Sequence, residues 1–586
     1  MKSLLRLKPY LLRYKKTLLL GLVTVIGSNL FTVVQPLFMG YAIDELKRGI
    51  ETRAYITNDL LTIAGAIVAF SLFAGVFTFL TRQTIIVVSR HIEFDLRNDL
   101  LGHLQKLSFS YFQNKPTGDL MAHATNDISA VRNVLGPGIM YPSDTLMTFT
   151  MVLTLMLVKD WRLTMLALIP LPLVSFVVYY LGKMIHHRFM DRQEQFSLLT
   201  TRAQENLSGI RVIKAYVREA YEISRFRELS WDYLKKNLVL AKVQSILWPL
   251  MFLLVGISML ITIYFGGLQI IDGEMTIGTL SAFIAYLVML IWPVIAFGWV
   301  INLLQQGAAS MQRLANIFDT EPEIRDSERT DHSIRTIHGE LEFRDVSLTH
   351  KGAAKPTLQG IDLHIPQGMT VAVVGYTGSG KSTLVNLIPR LYDVTEGTLL
   401  IDGHDIRTVP LAVIRSHVGY VPQETFLFSD SIAENIRYGV DGGGEADVRQ
   451  AGVISQLERD VLEFPGGFET LIGERGITLS GGQKQRTSIA RAIMRRPSIL
   501  ILDDALSSVD TYTEEEILKR LRVFMKDRTS IIISHRISTV KDADLIIVLD
   551  NGSIVERGTH DELVALGGIY ADLHEKQLLE KELEEL

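Results

Sequence analysis

Cysteine is absent from the chain, which excludes a disulfide framework, zinc–thiolate chemistry and thiol catalysis, and suits polar regions that stay in a reducing cytoplasm. A large excess of one charge is also missing. The net charge of −5 over 586 residues gives no argument for nucleic acid as a partner. No internal repeat or low-complexity tract is evident, so a solenoid or a fibrous assembly has no support. What the chain has in abundance is apolar material. At 48% hydrophobic residues and a positive mean hydropathy it is too long for one domain and too apolar for an ordinary soluble enzyme.

That apolar material lies before residue 310, in six stretches at about 17–43, 60–81, 138–158, 162–182, 246–271 and 278–304. Each is long enough, at ~20 residues and 1.5 Å rise, to cross ~30 Å of hydrocarbon. Lys159-Asp160-Trp161 alone joins the third to the fourth, which predicts a tight hairpin. No small-residue cleavage site follows the first stretch, so a removed signal peptide is not expected. Lys and Arg number six before the first span, six between 82 and 137 and twelve between 183 and 244, with far fewer in the alternate loops. This bias predicts a cytoplasmic location for the cationic loops, for both termini and for whatever follows the sixth span, in a cytoplasmic membrane. The two cationic loops are long and poor in breakers, and read as helices continuing beyond the bilayer.

The polar half opens on Gly375-Tyr376-Thr377-Gly378-Ser379-Gly380-Lys381-Ser382. The run Val371–Val374 precedes it and a helix-like stretch from Thr383 to Ile388 follows, which is the strand, glycine loop and helix order of a P-loop. Backbone N–H groups of such a loop turn inward around phosphates. Lys381 supplies charge to the β and γ phosphates and Ser382 a Mg²⁺ ligand. Further on, the buried-strand pattern Ile499–Leu502 ends in Asp503-Asp504, where a carboxylate can reach Mg²⁺. Taken alone, two acids after a strand equally begin a solvated loop. Gln423 closes another strand-like stretch and His535 a third. Each singly is an ordinary loop polar, but together they occur at strand ends in one consistent order.

Leu479-Ser480-Gly481-Gly482-Gln483 stands unaltered as the signature of ATP-binding cassette (ABC) proteins, and the chain resembles that family over its whole length. The resemblance implies an α-helical exporter-type membrane domain of six helices (1–318) and an α/β P-loop nucleotide-binding domain (341–575); residues 319–340, charged, nearly free of large apolar residues and punctuated by Pro322, read as a linker, and 576–586 as an acidic tail. It implies that Gly375 to Thr383 and His350 bind ATP, that Ser382, Gln423 and Asp503 hold Mg²⁺, and that Asp504, His535 and Gln423 serve catalysis. Ser507–Asp510 resembles the D-loop and Glu474-Arg475-Gly476 an exporter X-loop. Phe112–Leu120 and Asn206–Tyr216 resemble the two coupling-helix regions. In this family ATP is sandwiched between the P-loop of one cassette and the signature of another, so one chain makes half of each of two sites.

Two positions depart from the family pattern. The residue after Asp503 is Asp504 rather than glutamate, which sets the carboxylate back by roughly 1 to 1.5 Å. Misplacement on that scale costs ~10²-fold in rate, about 2.7 kcal/mol, in a reaction governed by positioning. His350 stands where an aromatic, commonly tyrosine, stacks on adenine; either it stacks more weakly or the loop is offset by one residue and His350 is exposed. An impaired P-loop half beside an intact signature predicts a heterodimer with one fast and one slow site, most like the smaller half of a heterodimeric multidrug exporter of bacilli. A homodimer exporting lipid or drug with two slow sites is the alternative, and an ATP-gated channel on the same scaffold a more distant one. Fused membrane and ATP domains disfavour an importer, and the spans exclude a soluble repair-type ATPase.

Polar groups inside apolar spans are costly and mark function. Asn29, Gln35, Asp144, Asn302 and Gln305 are therefore expected to line a cavity, with Tyr141, Trp292, Phe297 and Trp299 offering π faces to cationic drugs. Asp144 is the sharpest of these expectations. Any one of the aromatics serves equally as packing or as an interfacial anchor.

Overall fold

The computed structural model describes residues 2–52, 56–473, 476 and 479–584. Its chain divides into two compact units, one of Met1–Gln105 and Thr117–Thr320, the other of Lys106–Pro116 and Glu321–Leu586.

Six long helices build the first unit: α1 (Lys15–Thr52), α2 (Thr57–Leu104), α3 (Thr117–Lys159), α4 (Trp161–Ser208), α5 (Glu219–Ile271) and α6 (Ile277–Phe318). Helices are what such apolar runs must form, because lipid offers no partner for backbone N–H and C=O groups. Every helix outruns the apolar stretch that marks it. The polar extensions of α2 and α3 pack on α6 around Ile92, Leu96, Ile128, Met311 and Leu314. Asp127 there takes a bidentate grip from Arg313 and a 2.6 Å hydrogen bond with His123 Nδ1. Two π-helical turns, Arg82–Ile86 in α2 and His123–Asp127 in α3, interrupt otherwise regular α-helix. The hairpin between α3 and α4 turns on Asp160, whose carboxylate accepts the Leu163 N–H at 2.9 Å.

Glycines allow a close helix contact in this unit. A Cβ on Gly278 would fall 2.0 Å from the carbonyl oxygen of Gly40, so α1 and α6 meet backbone to backbone. Asp44 fixes the register there by accepting the Gly278 N–H at 2.7 Å. A buried layer of Val33, Val152, Met156, Leu163, Phe283 and Tyr286 continues the contact.

The second unit carries two sheets. Strands β1 (Leu341–Leu348), β2 (Leu358–Ile365), β4 (Glu396–Ile401) and β5 (His404–Asp405) form an antiparallel sheet in the order β2-β1-β4-β5. The other strands are β3 (Thr370–Val374), β6 (Val418–Val421), β7 (Ile499–Asp503), β8 (Thr529–Ile533), β9 (Leu545–Asp550) and β10 (Ser553–Gly558). They order as β10-β9-β3-β8-β7-β6 and are parallel except for β10. Strands β7 and β8 are buried along their whole length, as continuous apolar runs require of a sheet covered on both faces. Three helices matter below: α7 (Lys381–Asn386), α8 (Gly481–Met494) and α9 (Ile569–Glu584). No helix or strand occurs between Phe318 and Leu341.

Candidate functional site

The parallel sheet brings the polar motifs to one edge. Strand β3 runs beside β8 (Val373 opposite Ile533), β8 beside β7 (Ile533 opposite Asp503) and β7 beside β6 (Leu502 opposite Val421). The residues just past these strand ends are therefore neighbours: the glycine loop after Val374, His535 after β8, Asp503-Asp504 at the end of β7, and Gln423 after β6. Open α/β sheets hold their ligands along this carboxyl edge.

Close approach dictates the loop's glycines. Gly375 has φ +146° and a Cβ there would lie 2.1 Å from the Leu549 carbonyl; Gly380, at φ +102°, precedes α7. Lys381 is buried and folds its ammonium back into the loop, donating to the carbonyls of Gly375 and Tyr376, both at 2.8 Å. Burial pulls its pKa below the ordinary lysine value, against the opposing pull of Asp503 and Asp504. Ser379 Oγ is buried without a hydrogen-bond partner among the described residues. A buried ammonium turned onto carbonyls, beside a buried hydroxyl with no partner among the described residues, suits a phosphate, which would accept from both.

Asp503 is 2% exposed. Desolvation raises its pKa above the ordinary carboxylate value; the Ser382 hydroxyl, hydrogen-bonded to it, resists the shift, and the neighbouring Asp504 adds to it. Paired hydroxyl and carboxylate oxygens fit Mg²⁺, a hard cation that takes one or two protein oxygens and completes its shell with water and phosphate. Asp504 lies beyond the strand with φ +48°, its N–H bonded to the Ile533 carbonyl at 2.9 Å. Aspartate adopts this left-handed conformation more readily than most side chains. His535 and Gln423 are exposed.

The signature caps a different helix. Ser480 is the N-cap of α8 and forms a reciprocal box with Gln483: Gln483 N–H donates to Ser480 Oγ at 3.2 Å, and Ser480 N–H to Gln483 Oε1 at 3.0 Å. Leu479 is buried beneath it. Gly481 and Gly482 are tight against Ser508: added Cβ atoms would lie 3.2 and 3.0 Å from its atoms, so Ser508 would have to give way by a few tenths of an ångström. Glu474 and Arg475 lie outside the described residues.

Gln485, which the sequence reading passed over, joins the two motifs. Its Oε1 accepts the Ser508 N–H at 2.9 Å, and its Nε2 donates to Ser507 Oγ at 2.9 Å and, more weakly, to the Asp504 carbonyl at 3.4 Å. A glutamine two residues past a glycine signature carries no local signal of such a bridge. His350 is half-buried and stands edge-on to Tyr392, ring centroids 5.0 Å apart. The two line a cavity of ≈ 430 Å³ with Ser110, Gln113 and Glu323.

In the membrane unit, Asn29 Nδ2 donates to Asp144 Oδ1 at 2.7 Å, and the Thr148 hydroxyl donates to Asn29. Tyr141 and Trp299 stack edge-on at 5.1 Å. Asn302 instead accepts from Gln306 on its own helix. Among the described residues no hydrogen bond or ring contact draws Gln35, Gln305 or Trp292 into this group, and the Phe297 side chain lies outside them.

Comparison with known proteins settles the family. Residues 18–294 match the family model described as the ABC transporter transmembrane region and residues 358–507 the one described as ABC transporter. The chain is 39% identical, over 98% of its length and 96% of the relative's, to the Bacillus subtilis protein named "Probable multidrug resistance ABC transporter ATP-binding/permease protein YheI". The chain belongs to the ABC transporter family. This ABC transporter is also 39% identical to the ATP-dependent lipid A-core flippase of Syntrophus aciditrophicus, over 85% of this chain and 82% of the relative's. A solved bacterial Atm1-family ABC exporter with ATP bound superposes with a TM-score of 0.80 at 27% identity, covering 96% of this chain and 99% of that one. The protein is thus a multi-pass membrane transporter with a fused nucleotide-binding domain that binds ATP and couples its hydrolysis to transport.

Proposed function

We propose that this chain is one half of a heterodimeric exporter of amphipathic, chiefly cationic, drugs from the cytoplasmic membrane, and that the ATP site built on its own P-loop turns over slowly. The observation that carries the reading is the pairing of an intact, fully capped signature with a shortened carboxylate at Asp504. Lys381 and Ser379 would take the phosphates, Ser382, Asp503 and Gln423 would hold Mg²⁺, which screens phosphate charge when bound, and His350 would meet the adenine. Asp504 and His535 would orient the attacking water at this chain's own site. Ser480, Gly481 and Gly482 would close the site on the other subunit, where α8 offers N–H donors to a γ-phosphate.

Exposed apolar surface supports a second half. Val212, Tyr216 and Val217, at the tip between α4 and α5, are 61, 74 and 80% exposed. Phe426 and Tyr438, beside Arg491 in the nucleotide-binding domain, are 50 and 65% exposed. Membrane lipid surrounds the first unit, and Asp144 with Asn29 would give a cation its countercharge in the cavity. The likeness to a lipid A-core flippase favours lipid as a second class of cargo and keeps a homodimer with two slow sites as the rival assembly.

ATPase activity of the chain purified alone, and co-purified with a second half-transporter carrying the glutamate, tests this. Low activity alone and high activity together are expected. Full drug-stimulated activity from the chain alone would make it a homodimer.

A further inference from the structure

Residues 575–586 alternate acids with leucines and read as an exposed amphipathic helix, yet the last helix, α9, has one face built into the ATP domain. Glu556 on β10 accepts the N–H groups of Ile569 at 2.5 Å and Tyr570 at 3.1 Å, which fixes the start of α9. The Tyr570 side chain is fully buried, with its hydroxyl 2.7 Å from His560 Nδ1, and Leu573 packs on the same core. Seven residues beyond Tyr570, and so on the same helix face, Gln577 turns its amide onto the segment carrying His535. Its Nε2 donates to the His535 carbonyl, and its Oε1 accepts the Ile537 N–H at 2.8 Å. A carbonyl at one end and an N–H at the other fix the orientation of the amide, which only a carboxamide can satisfy on both sides.

The segment's opposite flank is held separately. Arg536 pairs with Glu514 and donates to the Val509 carbonyl at 3.2 Å, while its N–H donates to Ser534 Oγ at 3.0 Å. The exposed His535 side chain therefore leaves a backbone clamped from both sides. Among the described residues, Gln577 supplies the side-chain hydrogen bonds of the flank from α9. The next strip of the same helix reaches the glycine loop, where the Tyr376 hydroxyl donates to Asp572 Oδ2 at 3.2 Å and Asp572 pairs with Lys576 at 2.7 Å.

We propose that Gln577 is a positioning residue for His535: its carboxamide holds the peptide planes on either side of Arg536, so that the imidazole stands at one place above the end of β7. This rests on the reading that His535 works at this chain's ATP site. Gln577 touches no reacting atom and acts only through the backbone it holds.

The test is ATP hydrolysis at this chain's own site, measured for the full-length chain in its assembly in lipid nanodiscs with the second half's P-loop inactivated so that the faster site adds nothing, for Gln577→Met, Gln577→Glu, His535→Ala and the His535→Ala/Gln577→Met pair. Gln577→Met keeps the volume without donor or acceptor; Gln577→Glu keeps the acceptor but sets a carboxylate oxygen against the His535 carbonyl. Both are expected to lower kcat about tenfold with KM for ATP changed less than about twofold, the split of an interaction needed after binding. In the His535→Ala background Gln577→Met is expected to cost nothing further, because the two changes remove one function. An equal loss in both backgrounds, a loss seen mainly in KM, or normal turnover in both Gln577 variants would overturn the proposal. Unimpaired turnover in His535→Ala would instead refute the role of His535 itself, a result distinguishable from slow His535→Ala beside normal Gln577→Met. If Gln577→Met unfolds, Gln577→Glu, which keeps this face of the helix polar, decides alone.

Discussion

The glycine-loop edge and the signature, proposed above as the two halves of an ATP site, are made of different materials. At the loop edge the determining groups are charges taken out of water: Lys381 with its pKa pulled down and Asp503 with its pKa pushed up, both by burial. None of the signature residues is charged. Ser480, Gln483 and two glycines pressed against Ser508 present backbone donors on a capped helix end. A charge site fails when a charged atom is moved or removed. A backbone site fails when a side chain intrudes.

The largest effect should come from Lys381→Ala, which removes the only charge of the loop. Affinity of this chain's own site for a fluorescent ATP analogue is expected to fall at least about 100-fold, with the signature's service to the other subunit intact. Next comes Gly482→Ala, whose methyl would sit 3.0 Å from the Ser508 carbonyl. Turnover of the assembly should drop about tenfold or more while nucleotide binding to this chain's own loop stays unchanged. Equal damage to both sites from either variant would erase the distinction between the two.

Gln485→Met is a milder cut, because it leaves both motifs in place and removes only the bridge from α8 to Ser507 and Ser508. A few-fold loss of turnover is expected, about 1 kcal/mol in the barrier, with unchanged affinity. The smallest effect is one of stability. Because the folded pKa of Asp503 lies above its unfolded value, the native state binds more protons than the unfolded state in the window between them, and stability falls as pH rises through that window. At neutral pH the ionised group burdens the fold. Asp503→Asn should therefore raise the unfolding temperature of the nucleotide-free protein at pH 7.5 and flatten its rise on mild acidification, while removing the Mg²⁺-dependent gain from ATP. A lower unfolding temperature at pH 7.5 would show that Lys381 needs the charge more than the site suffers from it.

Contiguous motifs were the legible part of this molecule. The six spans follow from hydropathy, and the glycine loop, Asp503, Gln423 and His535 are found because buried parallel strands announce themselves as apolar runs that end in polar residues. What stayed hidden are contacts made by ordinary polar residues far apart in the chain. Gln485 and Gln577 sit in helices where a glutamine normally faces water. His350 meets Tyr392 across 42 positions, which a departure from a one-residue pattern cannot reveal. The π turns at Arg82–Ile86 and His123–Asp127 contain neither proline nor glycine, so no breaker marks them.

Asp504→Glu, measured in the active assembly, tests the central claim that the loop half is slow because one carboxylate is set back. Glutamate should raise hydrolysis at this chain's own site by about ten- to a hundredfold and lower the unfolding temperature slightly, since it suits the left-handed backbone at φ +48° less well than aspartate. Unchanged or reduced turnover, with ATP binding intact, would contradict the account and make Asp504 an adequate catalytic carboxylate as it stands.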